Sequence, residues 1–198
     1  MIAKDKRFEK EEYAWVIDYL PYGSPTDNRP GYQKKPLLQA VGDKYFVLME
    51  LVPKPNANPQ IHSRIYIGDG DRDEVDHVKH RINYNDLSHG AQLELPFVIE
   101  ECVKHQEESF VKFFNDAHPI TSRQHMLELL PGIGKKLMWA IIEEKKKGDF
   151  KNFQDLHDRV GGVHTPEKVL ANRILEELRD DRIKYRLFTT TMRRPKRD

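Results

Sequence analysis

Two stretches of the chain hold residues whose types and spacing could do chemistry, and they carry opposite charge. The first is GDGDRDEVDH, residues 68–77, where Asp69, Asp71, Asp73, Glu74 and Asp76 gather. Carboxylates so close together suit a divalent cation, but the calcium-loop template needs glycine at its sixth position and glutamate at its twelfth. Counted from Asp69, those positions hold Glu74 and His80. His77 and His80 stand three apart in an expected strand, which sends their side chains to opposite faces, so they do not converge on one ion. A solvated hairpin turn is the favoured reading, and no metal or cofactor is expected. A metal-dependent nuclease, if the chain were one, would have to be seated near Asp71. The second stretch is LELLPGIGKK, residues 127–136. A proline stops a leucine-rich segment, Gly132-Ile133-Gly134 makes a tight turn, and Lys135 and Lys136 open an amphipathic helix. The first N–H groups of a helix have no partner within it and form the positive end of its dipole. The glycines permit positive φ and remove side chains that would hold an oxyanion away. Ile133, turned inward, pins the turn, and the lysines add charge at the same edge. This is the chemistry of a phosphate site.

Helices must flank that turn. ITSRQHMLELL begins with Thr121 and has Gln124 three residues later, the form of a capping box. KKLMWAIIEEKKKG continues with apolar Leu137, Met138, Ile141 and Ile142 at helical spacing. A degraded second copy follows in DFKNFQDLHDRVGGVHTPEKVLANRILEELRD. There Asn152 caps a short helix, Gly162-Val163-His164 takes the turn position, and Thr165-Pro166 starts the last helix with a capping residue and a proline at its first position.

The amino-terminal part reads differently. EYAWVIDYL, LLQAVGDKYFVLMELVP and SRIYIGDGDRDEVDHVKHRINY are rich in strand formers and separated by proline- and glycine-rich loops. Gly42-Asp43 predicts a hairpin turn or a bulge within the second stretch. Four or five strands in about 85 residues predict a small antiparallel barrel of OB-like form. From Phe97 to Phe114 the apolar spacing is helical, with Pro96 expected at a helix start and Pro119 closing the segment. The fold class is thus α+β, with an OB-like β-barrel over 1–84, a helical connector over 85–118, an all-α paired hairpin domain over 119–182 and a basic tail over 183–198.

The 198 residues are 33% charged and 38% apolar, as in soluble globular chains. No apolar run is long enough to span a membrane and the charged amino end lacks a secretion signal, so a cytoplasmic protein without membrane partners is expected. The lone Cys102 reads as a small buried apolar group. The net charge of +1 conceals an asymmetry: residues 1–118 carry 15 Lys and Arg against 20 Asp and Glu, whereas 119–198 carry 18 against 12. A basic half is the footprint of a polyanion partner. Two further groups fit it. The loop at 21–36 mixes Tyr22 and Tyr32 with Arg29, Lys34 and Lys35, which suits unpaired bases and phosphates. The tail places Arg193, Arg194, Lys196 and Arg197 together, a basic arm suited to tracking phosphates.

Gly132-Ile133-Gly134, with the leucines before it and the lysines after it, resembles the helix-hairpin-helix motifs that grip the sugar-phosphate backbone through main-chain amides. Such motifs come in pairs, and in the second copy His164 stands where they have glycine. With Glu167 close by, that hairpin is open between phosphate contact and packing. Over almost its whole length, with strands, helical connector, LELLPGIGKK and the KYRLF ending, the chain resembles an archaeal family, domain of unknown function 655, predicted to bind RNA. The resemblance implies an OB-like domain joined to paired helix-hairpin-helix motifs and a setting in translation or ribosome assembly, with ribosomal or other translation-related proteins as further partners. The preference for RNA over DNA comes from it alone. The expected function is non-enzymatic nucleic-acid binding through Gly132, Ile133, Gly134, Lys135, Lys136, Gly162, Val163 and His164, extended by Arg29, Lys34, Lys35, Arg193 and Arg194. The alternatives are a protein-docking adaptor and the nuclease near Asp71.

Overall fold

The structure is a computed structural model that describes residues 10–24 and 27–190. Five strands form one antiparallel sheet: β1 (Tyr13–Leu20), β2 (Leu37–Gly42), β3 (Leu48–Pro53), β4 (Arg64–Tyr66) and β5 (Val75–Arg81). Their order is β4-β1-β2-β3-β5. The sheet curls, with register shifts in β1 opposite β2 and in the β3–β5 pair, but no ladder joins β4 to β5 among the described residues, so it is a half-barrel rather than a closed one. The reason lies in β4, whose three residues pair with β1 alone. One face of the sheet packs Val16, Leu38, Met49, Leu51 and Ile65 into a core from which water is nearly excluded.

Gly42 ends β2 in a hairpin turn, its N–H donating to the Val47 carbonyl at 2.8 Å. Beneath that turn lies the carboxylate of Glu11, 6% exposed, which accepts the N–H groups of Lys44 and Tyr45 at 2.9 Å each. Burial pushes the Glu11 carboxyl up from its ordinary pKa, and the amides offset part of that rise. A Cβ on residue 42 would lie 2.1 Å from a Glu11 oxygen, so only glycine fits. Next to it Asp43 accepts from the Trp15 indole at 2.8 Å and from Arg64 at 2.6 Å, while the Arg64 guanidinium lies 3.6 Å from the centre of the Tyr13 ring. Arg64 is thereby a structural cation.

Helices follow: α1 (His89–His105), α2 (Glu107–Asp116), α3 (Lys135–Lys146), α4 (Phe153–Arg159) and α5 (Pro166–Arg179). α1 begins seven residues before Pro96, which lies inside it. Ser88 decides the start, because its hydroxyl accepts the Ala91 N–H at 2.9 Å and its carbonyl the Gln92 N–H at 3.0 Å. Between α2 and α3 the expected helix at 121–130 is absent, so the range 119–182 is not all-α. Residues Pro119–Thr121 (β6) and Gln124–His125 (β7) pair as a small ribbon, and Met126–Leu129 form a short 3-10 helix. Thr121 accepts from Arg123 in the ribbon turn and caps no helix. The capping box sits four residues on: the His125 ring accepts the Leu127 N–H at 3.2 Å and Glu128 accepts the His125 N–H at 2.9 Å.

The chain divides into two compact units, Ile99–Glu176 and the described residues on either side of it. Residues 177–190 thus belong with the sheet, and the expected connector is divided at Val98. Within that segment Glu177 has no exposed surface, and its carboxylate accepts the N–H groups of Leu187, Phe188 and Thr189 at 2.7, 3.1 and 3.0 Å. In the second unit Leu127, Leu130, Ile133, Ile141, Leu156 and Val163 are all buried. Among the described residues no helix is long and apolar enough to cross a membrane.

Candidate nucleic-acid interface

The first hairpin is built differently in detail from the turn expected of the sequence. Gly132 has φ +81°, a conformation that side chains resist. Gly134 does not: at φ −83° and ψ 178° it is extended backbone that any residue adopts, and a Cβ there would meet nothing within 4 Å. Its glycine leaves open space in front of the helix. Ile133 is 4% exposed and its N–H donates to the Leu130 carbonyl at 3.1 Å, so it anchors the turn and offers no amide to a ligand. Gly134 caps α3 by receiving the Met138 N–H at 2.9 Å. The N–H groups of Gly134, Lys135, Lys136 and Leu137 donate to no acceptor among the described residues. Four adjacent donors at the positive end of a twelve-residue helix therefore face the space that the missing side chain leaves free.

The lysines sort themselves along the same helix. At its far end Lys146 pairs with Glu143 at 2.7 Å, and Lys147, just beyond, pairs with Glu144 at 2.5 Å. At the hairpin end Lys135 and Lys136 are exposed and make no ion pair among the described residues. That end of α3 keeps its charge uncompensated.

The second hairpin repeats the first at a spacing of thirty residues. Val163, 2% exposed, donates its N–H to the Val160 carbonyl at 3.1 Å, as Ile133 does to Leu130. Gly162 has a different task from Gly132. A Cβ on it would come within 2.8 Å of Leu137 Cδ1, so its glycine lets the second turn lie against the first residues of α3. His164 is exposed, its ring 5.7 Å from that of His157, whose Nδ1 donates to the Val163 carbonyl at 3.0 Å. Pro166 has no N–H and Glu167 brings a negative charge to the first turn of α5. This hairpin braces the first and presents fewer donors. Arg159 adds to the brace, donating to the Gly148 carbonyl at 2.7 Å and the Asp149 carbonyl at 3.2 Å.

The remaining residues stand apart. Arg29 forms a fork with Asp27, at 2.7 and 3.0 Å, which holds the Asp27 carboxyl well below the usual range and commits the cation internally. Lys35 is exposed and Lys34 half-buried, with Tyr22 and Tyr32 more than four-fifths exposed in the same loop. These belong to the first unit and the hairpins to the second. Arg193 and Arg194 lie outside the described residues. In the carboxylate run Asp69 is held by Lys10 at 2.9 Å and His77 by Asp76 at 2.6 Å, and among the described residues no group of three His, Cys, Asp or Glu is placed to hold a metal ion. One residue that the sequence reading passed over is Trp139, 57% exposed on α3. The signal was present: Leu137, Met138, Ile141 and Ile142 mark the inner face of that helix, and the indole falls off it.

Comparison with known proteins gives this geometry a family. The family model described as protein of unknown function (DUF655) matches residues 10–190. An uncharacterized protein of Methanocaldococcus jannaschii is 48% identical over 186 residues, covering 93% of this chain and 82% of that protein. The crystal structure of a DUF655 protein from Archaeoglobus fulgidus is similar with a TM-score of 0.84 at 48% identity, over 91% of this chain and all of that one.

Proposed function

This chain belongs to the DUF655 family, and we propose that it is a non-enzymatic RNA-binding protein that grips the sugar-phosphate backbone at the hairpin of residues 132–137. The observation that carries this reading is the row of N–H groups from Gly134 to Leu137 with no acceptor of their own, beside two lysines with no counter-charge. Charge-assisted bonds from amides to an anionic oxygen are the strong kind, and a helix start supplies them with the right polarity. The two braced turns are read as a paired helix-hairpin-helix and the curled sheet as OB-like, with its loop at 21–36 extending the footprint. RNA rather than DNA, and a cytoplasmic place in translation or ribosome assembly, follow from the likeness to a family predicted to bind RNA. Backbone amides read phosphate without reading sequence, so specificity comes from RNA shape and from the sheet.

The test is equilibrium binding of the full chain to a labelled structured RNA across a salt series. The logarithm of the affinity falls linearly with the logarithm of salt concentration, with a slope of about −0.7 to −0.9 for each phosphate neutralised. A slope near zero removes the phosphate-gripping account. Gly134→Val puts a side chain into open space in front of the amides, so it weakens binding by roughly tenfold or more while the melting temperature stays in place. Unchanged affinity in that variant removes this hairpin as the contact.

A further inference from the structure

The outer face of α3 holds a feature that phosphate gripping leaves unused. Met138 and Ile141 bury that helix, at 6% and 0% exposure, whereas Trp139 stands 57% exposed. The indole makes no hydrogen bond and no ring contact among the described residues. It lies four residues after Lys135 and three after Lys136, which puts it on their face of the helix, one turn further along. Helical side chains lean toward the amino end, so the indole is carried back over the turn that bears the open amides. One turn is about 5.4 Å, within the reach of a single nucleotide. A phosphate at the amides and an aromatic face beside it, with two cations between, match the two ends of one nucleotide: the anionic group and the flat base.

We propose that Trp139 is a stacking platform for a nucleobase of the same strand whose phosphate the hairpin holds, so that the ligand carries an unpaired nucleotide at this point instead of continuous duplex. This rests on the hairpin being a phosphate site. In a continuous duplex each base is sandwiched by its neighbours, and A-form geometry presents no free base face to a side chain. Only a loop, bulge or single strand frees a π-face, and stacking on an aromatic side chain then accepts any base. Tryptophan serves this purpose and costs solubility if left without a ligand.

The experiment compares three RNA probes with the full chain: an unpaired oligoribonucleotide, a blunt duplex, and the unpaired strand with a run of abasic positions. The native chain binds the first more tightly than the other two, and its exposed indole emission is quenched on binding the first alone. Trp139→Ala loses about tenfold or more for the unpaired strand and no longer distinguishes it from the abasic one. Trp139→Phe retains most of the affinity, which shows that a ring and not merely a large side chain is needed. Gly134→Val weakens the unpaired and duplex probes together. If Trp139→Ala binds the unpaired strand as the native chain does, the platform is overturned while the phosphate site stands, and the indole becomes a candidate protein contact. If the native chain binds no RNA probe, the phosphate site and the platform fall together.

Discussion

Ile133 fixes the hairpin by turning away from any ligand: its side chain is buried and its own N–H closes the turn on Leu130, which leaves the four following amides without an internal acceptor. That inward role was legible, because an apolar residue between two glycines has nowhere else to go. The conformation of Gly134 was not, since sequence shows where backbone freedom is allowed and not whether it is used. A second residue, the cap of the 3-10 helix that precedes the hairpin, makes stability depend on pH. His125 is 8% exposed and caps the 3-10 helix with its ring nitrogen as acceptor from Leu127. Burial lowers its pKa, Glu128 opposes this, and His118 reinforces it. The neutral ring is favoured in the folded chain, so the unfolded chain binds more protons between the two pKa values, and stability rises with pH across that window. The contribution is present above the ordinary histidine pKa of about 6.5 and is lost as pH falls through the lower folded value. Chemical unfolding at pH 7.5 and pH 5 is expected to show a larger loss of stability for the native chain than for His125→Asn, whose amide oxygen keeps the cap without titrating. Equal losses would place the pH dependence elsewhere.

At the level of elements the two hairpins share one construction and divide the labour. Leu130 to Ile133 and Val160 to Val163 close their turns with the same hydrogen bond, yet Gly162 lacks the positive φ of Gly132 and approaches Leu137 so closely that a methyl group there would meet it at 2.8 Å. Gly162→Val is therefore expected to cost on the order of 1 kcal/mol of stability, since the end of the half-buried Leu137 side chain must shift to admit it. It should weaken RNA binding only through the displaced hairpin, so a cavity-opening partner, Leu137→Ala, recovers part of the stability. A Gly162→Val chain as stable as the native one would separate the two turns. The repeat itself was visible in the sequence, while the closeness of Gly162 to Leu137 joins residues 25 apart and left no local mark. Elsewhere local signals competed. HMLELL has helical periodicity, but only a few residues fit between the β6–β7 ribbon and Pro131, too short a run to repay helix nucleation, and a 3-10 turn results. In α1 a proline suits a helix start, yet Pro96 lies inside the helix, because Ser88 and its capping bonds lie eight residues upstream.

Across the whole molecule the strand-rich and helix-rich halves were legible from their periodicities, since alternation and three-to-four spacing survive without tertiary knowledge. The return of the last residues to the sheet-bearing unit was not. Within that segment Glu177 ties the chain to the end of α5, through partners that lie ten to twelve residues further on and are main-chain amides that every sequence possesses. Ending the chain after Arg186 removes those amides and deprives a buried carboxylate of three donors, with an expected loss of about 3 kcal/mol. Adding Glu177→Gln to the shortened chain should recover much of that loss in a thermal melt, because a neutral amide tolerates the vacancy better. A shortened chain that melts with the native one would deny Glu177 its role.

The division of the chain into a contiguous and a discontinuous unit sets an order of events during synthesis. The hairpin segment, 99–176, is contiguous and leaves the ribosome whole, so it can fold as soon as it emerges. The sheet is translated first, yet the compact unit that carries it also includes Glu177 and the amides of residues 187–189, which are made last. The earliest part of the polypeptide to be made is thus the last to be finished.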